Sequence, residues 1–495
     1  MEPLSIYATA SAVNERRLSA VDIARAHLAR VERCNGHLNA FVHLDPEQTL
    51  ADAAEVDRRV GEGQRDMPLA GVPISIKDLI AVRGFELNAG SRILRGYRPP
   101  VDATVVARLR SAGAVILGKV SLDEFAMGST NESSITGAVR NPWDLSRVPG
   151  GSSGGSGAAV SAQLGLASLG TDTGGSVRLP AAFCGAVGVK PTYGRVSRSG
   201  VVAYASSLDQ VGPICRDVRD AAAILNVIAG VCDQDSTSVA RSPHNWSEDC
   251  VDDVSGLKFG VVSDWLERLS PEVSQAVSEA ADALIAAGAT RVDITLSHDQ
   301  LAVPAYYVIA MSEASTNLAR YDGVRFGHRA ELATGDDLDA LYARSRAEGF
   351  GAEVRRRVIL GTWALSSGYY DAYYDRACRV RRLVRDELVG VLADVDVLLG
   401  PTAPRTAWEL GDPSMDPLTT YQMDIYTTAA NLAGLPAMSL PWGLGADGLP
   451  LAVQLHANAW DEASLFRWGT ALEAQSPALP PTPTAIAAIE EAARD

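Results

Sequence analysis

A serine follows two glycines in the segment GTDTGGSVRLPAAFCG, which spans residues 170–185. The small residues Gly174 and Gly175 let backbone N–H groups crowd around one point beside Ser176, an arrangement that suits an oxyanion hole. A serine hydroxyl is a poor nucleophile until a neighbouring base accepts its proton. The pattern therefore predicts acyl-transfer chemistry at Ser176, provided that the fold brings a base to it.

Histidine, the usual base, is missing from this part of the chain. No histidine lies between residues 44 and 244, and we interpret all seven as surface or core residues: His27, His37, His43, His244, His298, His328 and His456. Lys77 closes the apolar segment VPISIK and has two possible interpretations. It is either a surface lysine paired with Asp78 or a buried lysine whose lowered pKa leaves it neutral enough to act as the base.

A second small-residue segment, PGGSSGGSGAAV, spans residues 149–160 and only superficially resembles a phosphate-binding loop. It lacks the Lys-Ser/Thr ending of a Walker loop, and its glycines do not match the dinucleotide spacing, so nucleotide binding is not predicted. The run AAVSAQL between the two glycine clusters is long enough for a short helix only. We expect Asp172 and Arg178, opposite charges in the first segment, to form an ion pair that holds the loop in shape.

Alternating strands and helices must position these two segments. Ser19 and Asp22 form a helix start ahead of an apolar stripe at helical spacing, and a second helix is predicted over 47–60. From Gly71, the runs GVPISI, TVVARLRSAG and AVILGKV follow a strand–helix–strand order typical of α/β proteins. Later runs predict strands at LKFGVVSD, RVDITL, DVLLGP and LAVQLHA, a helix over 271–287 and a largely helical stretch over 300–389.

Composition excludes several classes of protein. The net charge of −16 at pH 7 opposes autonomous binding to nucleic acid. No CxxC occurs, so neither a metal site nor a redox pair is predicted for the cysteines, which are Cys34, Cys184, Cys215, Cys232, Cys250 and Cys378. Because no leader-like segment opens the chain and no run of eighteen apolar residues occurs, we expect a cytoplasmic protein without membrane contact.

Three motifs in order, GVPISIKD, PGGSSGGSGAA and GTDTGGSVRLPAAFCGAVGVKPTYGRVS, resemble the amidase signature family, serine hydrolases with a Ser-Ser-Lys triad. The resemblance implies that Ser176 is the nucleophile, that Ser152 is a bridging serine on a cis peptide, and that Lys77 is the base. It implies oxyanion donors on the backbone of Thr173, Gly174, Gly175 and Ser176. The fold of this family is α/β, with a mixed central sheet surrounded by helices and a helical cap.

Further segments are very similar to one branch of that family, the A subunits of glutamyl-tRNA(Gln) amidotransferases. They are YYVIAMSEASTNLARYDGVRFGHR, EGFGAEVRRRVILGTWALSSGYYDAYY and NLAGLPAMSLPWG. The resemblance implies hydrolysis of glutamine, with its charged ends held by Tyr307, Arg356 and Asp424. An arginine can grip the α-carboxylate and an aspartate can pair with the α-ammonium. The alternatives to these positions are Tyr306 for the tyrosine and Arg355 or Arg357 for the arginine.

The same resemblance implies a heterotrimer with B and C subunits. The B subunit would use ATP and Mg²⁺ to amidate mischarged Glu-tRNA(Gln), or Asp-tRNA(Asn), with the ammonia released here. This chain would bind no cofactor and would reach the tRNA only through the B subunit. A stand-alone amidase for another small amide is the alternative function, and a non-catalytic scaffold is disfavoured because all three triad residues are present.

We expect a single domain over 1–495. It comprises N-terminal helices over 1–65, a catalytic core with the triad over 66–295, a helical cap over 296–390, a return to the core over 391–475, and a Pro-rich tail with a terminal helix over 476–495. One departure from the family is Leu179, which replaces a usual glutamine and leaves substrate choice open. We interpret the arginines of one cap helix as a solvated face or partner interface rather than a tRNA contact: Arg376, Arg379, Arg381, Arg382 and Arg385.

Overall fold

The computed structural model describes residues 5–493, and its centre is a mixed sheet of eleven strands surrounded by helices. The strands are β1 (Phe41–Leu44), β2 (Pro73–Lys77), β3 (Val115–Val120), β4 (Ala167–Asp172), β5 (Val187–Lys190), β6 (Gln210–Cys215), β7 (Lys258–Val262), β8 (Thr290–Ile294), β9 (Val397–Pro401), β10 (Ala437–Leu444) and β11 (Pro450–Ala457). Their order across the sheet is β1-β3-β2-β4-β6-β5-β10-β11-β9-β7-β8. The predicted α/β fold with a mixed central sheet is confirmed.

The helices pack on both sides of this sheet. They are α1 (Ile6–Asn14), α2 (Ala20–Leu38), α3 (Pro46–Gly61), α4 (Thr104–Ser111), α5 (Gly154–Ser161), α6 (Arg178–Cys184), α7 (Val218–Ile228), α8 (Pro271–Ala286), α9 (Ala302–Asn317), α10 (Leu338–Gly349), α11 (Ala352–Ala364), α12 (Arg376–Val391), α13 (Pro417–Gln422), α14 (Thr428–Ala433), α15 (Glu462–Gln475) and α16 (Thr484–Ala492). A π-helix, Asp371–Asp375, leads into α12.

The two predicted N-terminal helices are confirmed, together with the reason for their starting points. Ser19 caps α2 by accepting the N–H of Asp22, and Asp45 caps α3 just ahead of a proline at its first position. The sequence interpretation missed α1 and five of the eleven strands: β1, β4, β5, β6 and β10. With only four residues, β1 is too short to show a clear alternation of apolar and polar side chains.

Strand β2 lies between β3 and β4 and runs parallel to both. All five of its residues are buried, which is usual for a parallel strand covered by helices on both faces. Lys77 is its last residue, and Asp172 is the last residue of β4. Because parallel strands end at the same edge of a sheet, Lys77 and the chain that follows β4 are brought together.

The largely helical stretch predicted over 300–389 corresponds to α9, α10, α11 and α12, with an irregular interruption between α9 and α10. On α12, Arg381 turns inward and donates to the Leu432 carbonyl at 2.8 Å, whereas the other four arginines of the predicted solvated face are exposed. Arg379 and Arg382 pair with the neighbouring acids Asp375 and Asp386. This arrangement fits a solvated face.

Two further findings bear on the sequence expectations. Within residues 5–493, we find no helix with the length and apolar character needed to cross a membrane. All six cysteines are free thiols, and burial raises the pKa of the Cys184 thiol, which leaves that residue unsuited to nucleophilic chemistry.

Candidate active site

Lys77 is completely buried and is held by three hydroxyl groups. Its Nζ donates to Ser152 Oγ at 2.8 Å, Ser153 Oγ at 2.8 Å and Thr171 Oγ1 at 2.9 Å. Burial lowers the Lys77 pKa to about 7, although nearby carboxylates oppose that shift. A substantial fraction of the amine is therefore neutral near neutral pH and can accept a proton.

The interpretation of Lys77 as a surface lysine paired with Asp78 is wrong. Asp78 instead receives a hydrogen bond from Lys119 Nζ at 2.7 Å, in an ion pair that is fully buried. The neighbouring carboxylate is thus already neutralised by another lysine, and within residues 5–493 Lys77 has hydroxyl partners only.

Ser152 connects Lys77 to the loop that carries Ser176, the candidate nucleophile. The Gly151–Ser152 peptide is cis, and Ser152 is completely buried. The next residue, Ser153, donates its N–H to the Ser176 carbonyl at 3.2 Å. Ser176 is therefore fixed beside the Lys77–Ser152 pair. Of Lys77, Ser152 and Ser176, only Ser176 is partly exposed, as the nucleophile role that the resemblance implies requires.

The backbone around Ser176 offers hydrogen-bond donors, but fewer than the resemblance implies. The N–H of Gly175 already donates to Asp172 Oδ1 at 2.9 Å, so Gly175 is a correction to the four predicted oxyanion donors. Among residues 5–493, no group accepts the N–H of Thr173, Gly174 or Ser176. These three N–H groups remain available to stabilise an oxyanion.

Glycine is required at both positions before Ser176 because other residues approach the backbone there. A Cβ at Gly174 would overlap the ring of Tyr306, and a Cβ at Gly175 would overlap the Thr427 side chain. Gly175 also has a φ of +136°, a conformation that L side chains rarely adopt. The loop that carries Ser176 is therefore packed tightly against α9 and against the residue that precedes α14.

The predicted ion pair between Asp172 and Arg178 is present and fully buried. Arg178 donates to Asp172 through Nε and Nη2, both at 3.0 Å, and it also reaches the Thr427 carbonyl. Asp172 accepts the N–H groups of Gly175 and Val177 as well. Although burial opposes it, the charge and hydrogen bonds of Arg178, together with Lys190 and Asn431, lower the Asp172 pKa to about 2. The pair holds the loop in shape, as expected.

Asp424 and Tyr307, two of the three predicted substrate-binding residues, are in contact. Tyr307 donates its hydroxyl to Asp424 Oδ2 at 2.8 Å, and Ser129 donates to both carboxylate oxygens at 3.1 and 3.2 Å. Burial raises the Asp424 pKa to about 6. Three residues later, Thr427 donates to the Gly174 carbonyl at 2.5 Å, so this carboxylate lies close to the nucleophile loop.

The structure does not place Arg356 in the site. Its side chain is 45% exposed and pairs with Glu353, whereas that of the next residue, Arg357, is only 4% exposed. Arg357 donates to the Tyr204 hydroxyl at 2.8 Å and to Glu353 Oε1 at 2.7 Å. Of the alternatives that the sequence leaves open, Arg357 is the one that reaches the site, and Arg356 is corrected.

Aromatic rings surround the Arg357 guanidinium. Its centre lies 5.4 Å from the Tyr307 ring and 5.1 Å from the Tyr421 ring, and these two rings stack with centroids 4.1 Å apart. A pocket of about 400 Å³ opens beside them, and its lining includes Ser129, Arg357 and Tyr421. A cation and an acid therefore lie near one small cavity, with the Asp424 carboxylate bound to Ser129.

Sequence reasoning missed Ser129 and Tyr421 as parts of this site. Ser129 lies in the segment FAMGSTNESS. Tyr421 lies on α13, whose sequence has no motif that indicates a substrate-binding role. Leu179, the departure from the family pattern, lies in a buried apolar cluster with Phe183 and Trp408. This position supports packing beneath the nucleophile loop.

Comparison with known proteins identifies the class. The family described as Amidase matches residues 22–466, and the chain belongs to that family. The A subunit of the glutamyl-tRNA(Gln) amidotransferase from Anaeromyxobacter sp. (strain K) is 51% identical over 482 residues, covering 97% of this chain and 98% of that protein. Its counterpart from Bdellovibrio bacteriovorus is 48% identical over 475 residues, which are 95% of this chain and 97% of that protein.

Solved structures agree with this assignment. The A subunit of the glutamyl-tRNA(Gln) amidotransferase from Thermotoga maritima matches with a TM-score of 0.78 and 40% identity, covering 94% of this chain and 95% of that one. The peptide amidase from Stenotrophomonas maltophilia matches with a TM-score of 0.82 and 32% identity, covering 96% of this chain and 98% of that one. The fold is thus shared by one component of an amidotransferase and by an amidase.

Proposed function

We propose that this chain is the glutamine-hydrolysing subunit of a tRNA-dependent amidotransferase. The observation that carries the proposal is a small pocket lined by Arg357 and by Ser129, whose hydroxyl bonds the buried Asp424 carboxylate. The same molecule holds the Lys77–Ser152 pair beside the Ser176 loop. Glutamine has an α-ammonium, an α-carboxylate and a side-chain amide, and each of these groups finds a complementary partner here.

The triad performs the proton transfers. Neutral Lys77 accepts a proton from Ser152 while Ser152 accepts the proton of Ser176, whose Oγ attacks the side-chain amide carbon of glutamine. The N–H groups of Thr173, Gly174 and Ser176 stabilise the resulting oxyanion. The protonated Lys77 returns the proton through Ser152 to the leaving nitrogen, and ammonia departs. Water then releases glutamate from Ser176 by the same proton route.

The two charged ends of the substrate set its orientation. Asp424 pairs with the α-ammonium, and the Nη2 group of Arg357, which has no acceptor among the described residues, binds the α-carboxylate. Tyr307 orients the Asp424 carboxylate through its 2.8 Å hydrogen bond. Both charged residues are buried, which makes their complementarity a strong criterion for glutamine over simple amides.

The relatives are named as A subunits of amidotransferases, which supports an assembly of several different chains. We propose B and C subunits as partners in a cytoplasmic heterotrimer, in which the B subunit uses ATP and Mg²⁺ while this chain binds no cofactor. The mischarged tRNA is bound through the B subunit, because a chain of net charge −16 repels a phosphate backbone.

Three alanine variants test the chemistry. Ser176→Ala is expected to reduce glutamate release by about a thousandfold or more, about 4 kcal/mol of activation free energy, with the fold intact by circular dichroism. Lys77→Ala and Ser152→Ala are expected to lose comparable activity. Double variants should be little worse than single ones because the three residues act as one unit. Half of the wild-type rate in Ser176→Ala would contradict the mechanism.

The role within a larger complex has its own test. Glutamate production is measured for the chain alone and for the complex with B and C subunits, ATP and the mischarged tRNA. We expect a low rate in isolation and a higher rate in the complex, since ammonia released without an acceptor is wasted. Full activity in isolation, with broad tolerance of unrelated amides, would favour a stand-alone amidase instead.

A further inference from the structure

Asp123 is a buried carboxylate that the proposed chemistry does not use. It follows β3, is only 1% exposed, and belongs to a turn next to the triad. Its Oδ2 accepts the N–H groups of Thr130 at 3.3 Å and Asn131 at 2.8 Å, and its Oδ1 accepts the Ser133 hydroxyl at 2.9 Å. This carboxylate therefore holds the loop 128–133, which we call the Ser129 loop.

The carboxylate also fits tightly between two glycines. A Cβ added at Gly128 would overlap the Asp123 carboxylate, and so would a Cβ added at Gly151. Gly128 begins the Ser129 loop, and Gly151 forms the cis peptide with Ser152. The carboxylate is thus enclosed by the substrate-binding loop on one side and by the triad on the other.

The backbone of Asp123 makes the second connection. Its N–H donates to the Ser152 carbonyl at 3.1 Å, so the residue is bonded to the bridging serine through its main chain and to the Ser129 loop through its side chain. The Ser129 loop in turn bonds Asp424 through the Ser129 hydroxyl. A single residue therefore joins the substrate-binding side of the pocket to the Lys77–Ser152 pair.

We propose that Asp123 is a positioning residue that fixes the Ser129 loop and Asp424 relative to the Lys77–Ser152 pair. The role deepens the proposed function, because it concerns the same site. A small misplacement of a reacting group can cost about a hundredfold in rate, so a residue that sets this relative position controls the rate through that geometry.

Its negative charge gives the role a measurable signature. The groups around Lys77 are the hydroxyls of Ser152, Ser153 and Thr171 and the carboxylates of Asp123, Asp172 and Asp209. Burial lowers the Lys77 pKa. Of the three carboxylates that oppose this shift, Asp123 has the largest effect. Removing that charge lowers the Lys77 pKa further, so neutral lysine persists at more acidic pH.

The test uses Asp123→Asn in the assembled complex, with kcat/KM for glutamine and for a simple primary amide measured across pH. We expect kcat/KM for glutamine to fall about a hundredfold, and by less for the simple amide. The acid limb of the profile should move to lower pH by about one unit. The matched control is Asp57→Asn, because Asp57 also accepts two backbone N–H groups and a serine hydroxyl but lies on α3, where it bonds to the start of α2. Asp57→Asn should leave unchanged both the pH profile of kcat/KM and the ratio of kcat/KM for glutamine to kcat/KM for the simple amide.

Ser133→Ala tests the positioning role of Asp123 without changing its charge. It also tests the proposal if Asp123→Asn does not fold. It removes one donor to the Asp123 carboxylate while keeping the charge, so kcat/KM for glutamine should fall about threefold to tenfold with the acid limb unmoved. A folded Asp123→Asn whose acid limb stays in place or moves to higher pH would overturn the proposal. Unchanged kinetics in Ser133→Ala would overturn it as well.

Failure of this inference is distinguishable from failure of the proposed function. If the wild-type complex does not hydrolyse glutamine but does hydrolyse the simple amide, the proposed function fails. The acid limb of Asp123→Asn is then measured on the simple amide, and the same shift is required. If wild-type glutaminase activity is present and the limb does not shift, only the role of Asp123 fails.

Discussion

Neighbouring arginines on α11 allow a sharp test of how the substrate is recognised. Arg357→Gln and Arg356→Gln remove the same charge at adjacent positions, one with a side chain 4% exposed and one 45% exposed. Both arginines contact Glu353, so the loss of that contact is common to the two variants. Only Arg357 lines the pocket next to Ser129 and Tyr421.

The expected magnitude follows from the interaction that is lost. A hydrogen bond between charged groups contributes about 1.5–3 kcal/mol, and about 1.4 kcal/mol corresponds to a tenfold change in rate. Losing the arginine also leaves the substrate carboxylate unpaired in a partly desolvated pocket, which places the effect at the upper end of that range. We therefore expect kcat/KM for glutamine to fall about a hundredfold in Arg357→Gln. Arg356→Gln should change it little, because exposed ion pairs contribute little.

The assay compares two substrates in the assembled complex. Glutamate release reports on glutamine, and ammonia release reports on a primary amide without α-ammonium or α-carboxylate. Arg357→Gln also takes a donor from Tyr204 and a partner from Glu353, so thermal stability is measured alongside. A loss of general integrity lowers both activities, whereas loss of substrate recognition lowers only the first. Equal losses on both substrates, or equal effects of the two variants, would refute the reasoning.

Three other predictions concern the triad and its surroundings. Gly174→Ala is expected to reduce kcat for glutamine by about a hundredfold, because its Cβ would overlap the Tyr306 ring and displace an oxyanion donor. A wild-type kcat for this variant in a steady-state assay would contradict the prediction. The acid limb of the kcat/KM profile should lie near pH 7. Lys77 has a pKa of about 7, so below that pH it is protonated and cannot act as a base. A profile that is flat from about pH 5 to 9 would exclude Lys77 as the base. EDTA should leave glutamine hydrolysis by the chain alone unchanged, since no group of three or more His, Cys, Asp or Glu side chains that could hold a metal ion occurs within residues 5–493; loss of activity that zinc restores would show a metal requirement.

Much of the fold was predictable because six of the eleven strands are short apolar runs separated by clear helix signals. The interpretation of Lys77 was not settled by its local sequence, because burial depends on residues far along the chain. The decisive contact is the buried ion pair of Asp78 with Lys119, which lies on the neighbouring strand β3. The segment VPISIK alone does not show which lysine pairs with that aspartate, and the family resemblance was needed to choose.

The oxyanion loop shows a similar limit. The glycines before Ser176 are an obvious sequence signal, but the signal does not say which N–H groups stay unpaired. Asp172 takes the N–H of Gly175 because Arg178 holds the carboxylate under the loop. A sequence pattern gives the small residues that a crowded backbone needs, whereas the available donors depend on contacts made in three dimensions.

The choice between Arg356 and Arg357 was, by contrast, within reach of the sequence. The buried residues of α11 are Val354, Arg357, Gly361 and Ala364, which recur at intervals of three and four and form one helical stripe. Gly361 marks the inner face, since a Cβ there would overlap the Met311 carbonyl on α9, the helix that carries Tyr307. An arginine four residues before that glycine faces α9, and its neighbour at position 356 is rotated away by about 100°. Applying helical periodicity to the cap would therefore have selected Arg357, and the paired glutamine variants test that same geometric argument in solution.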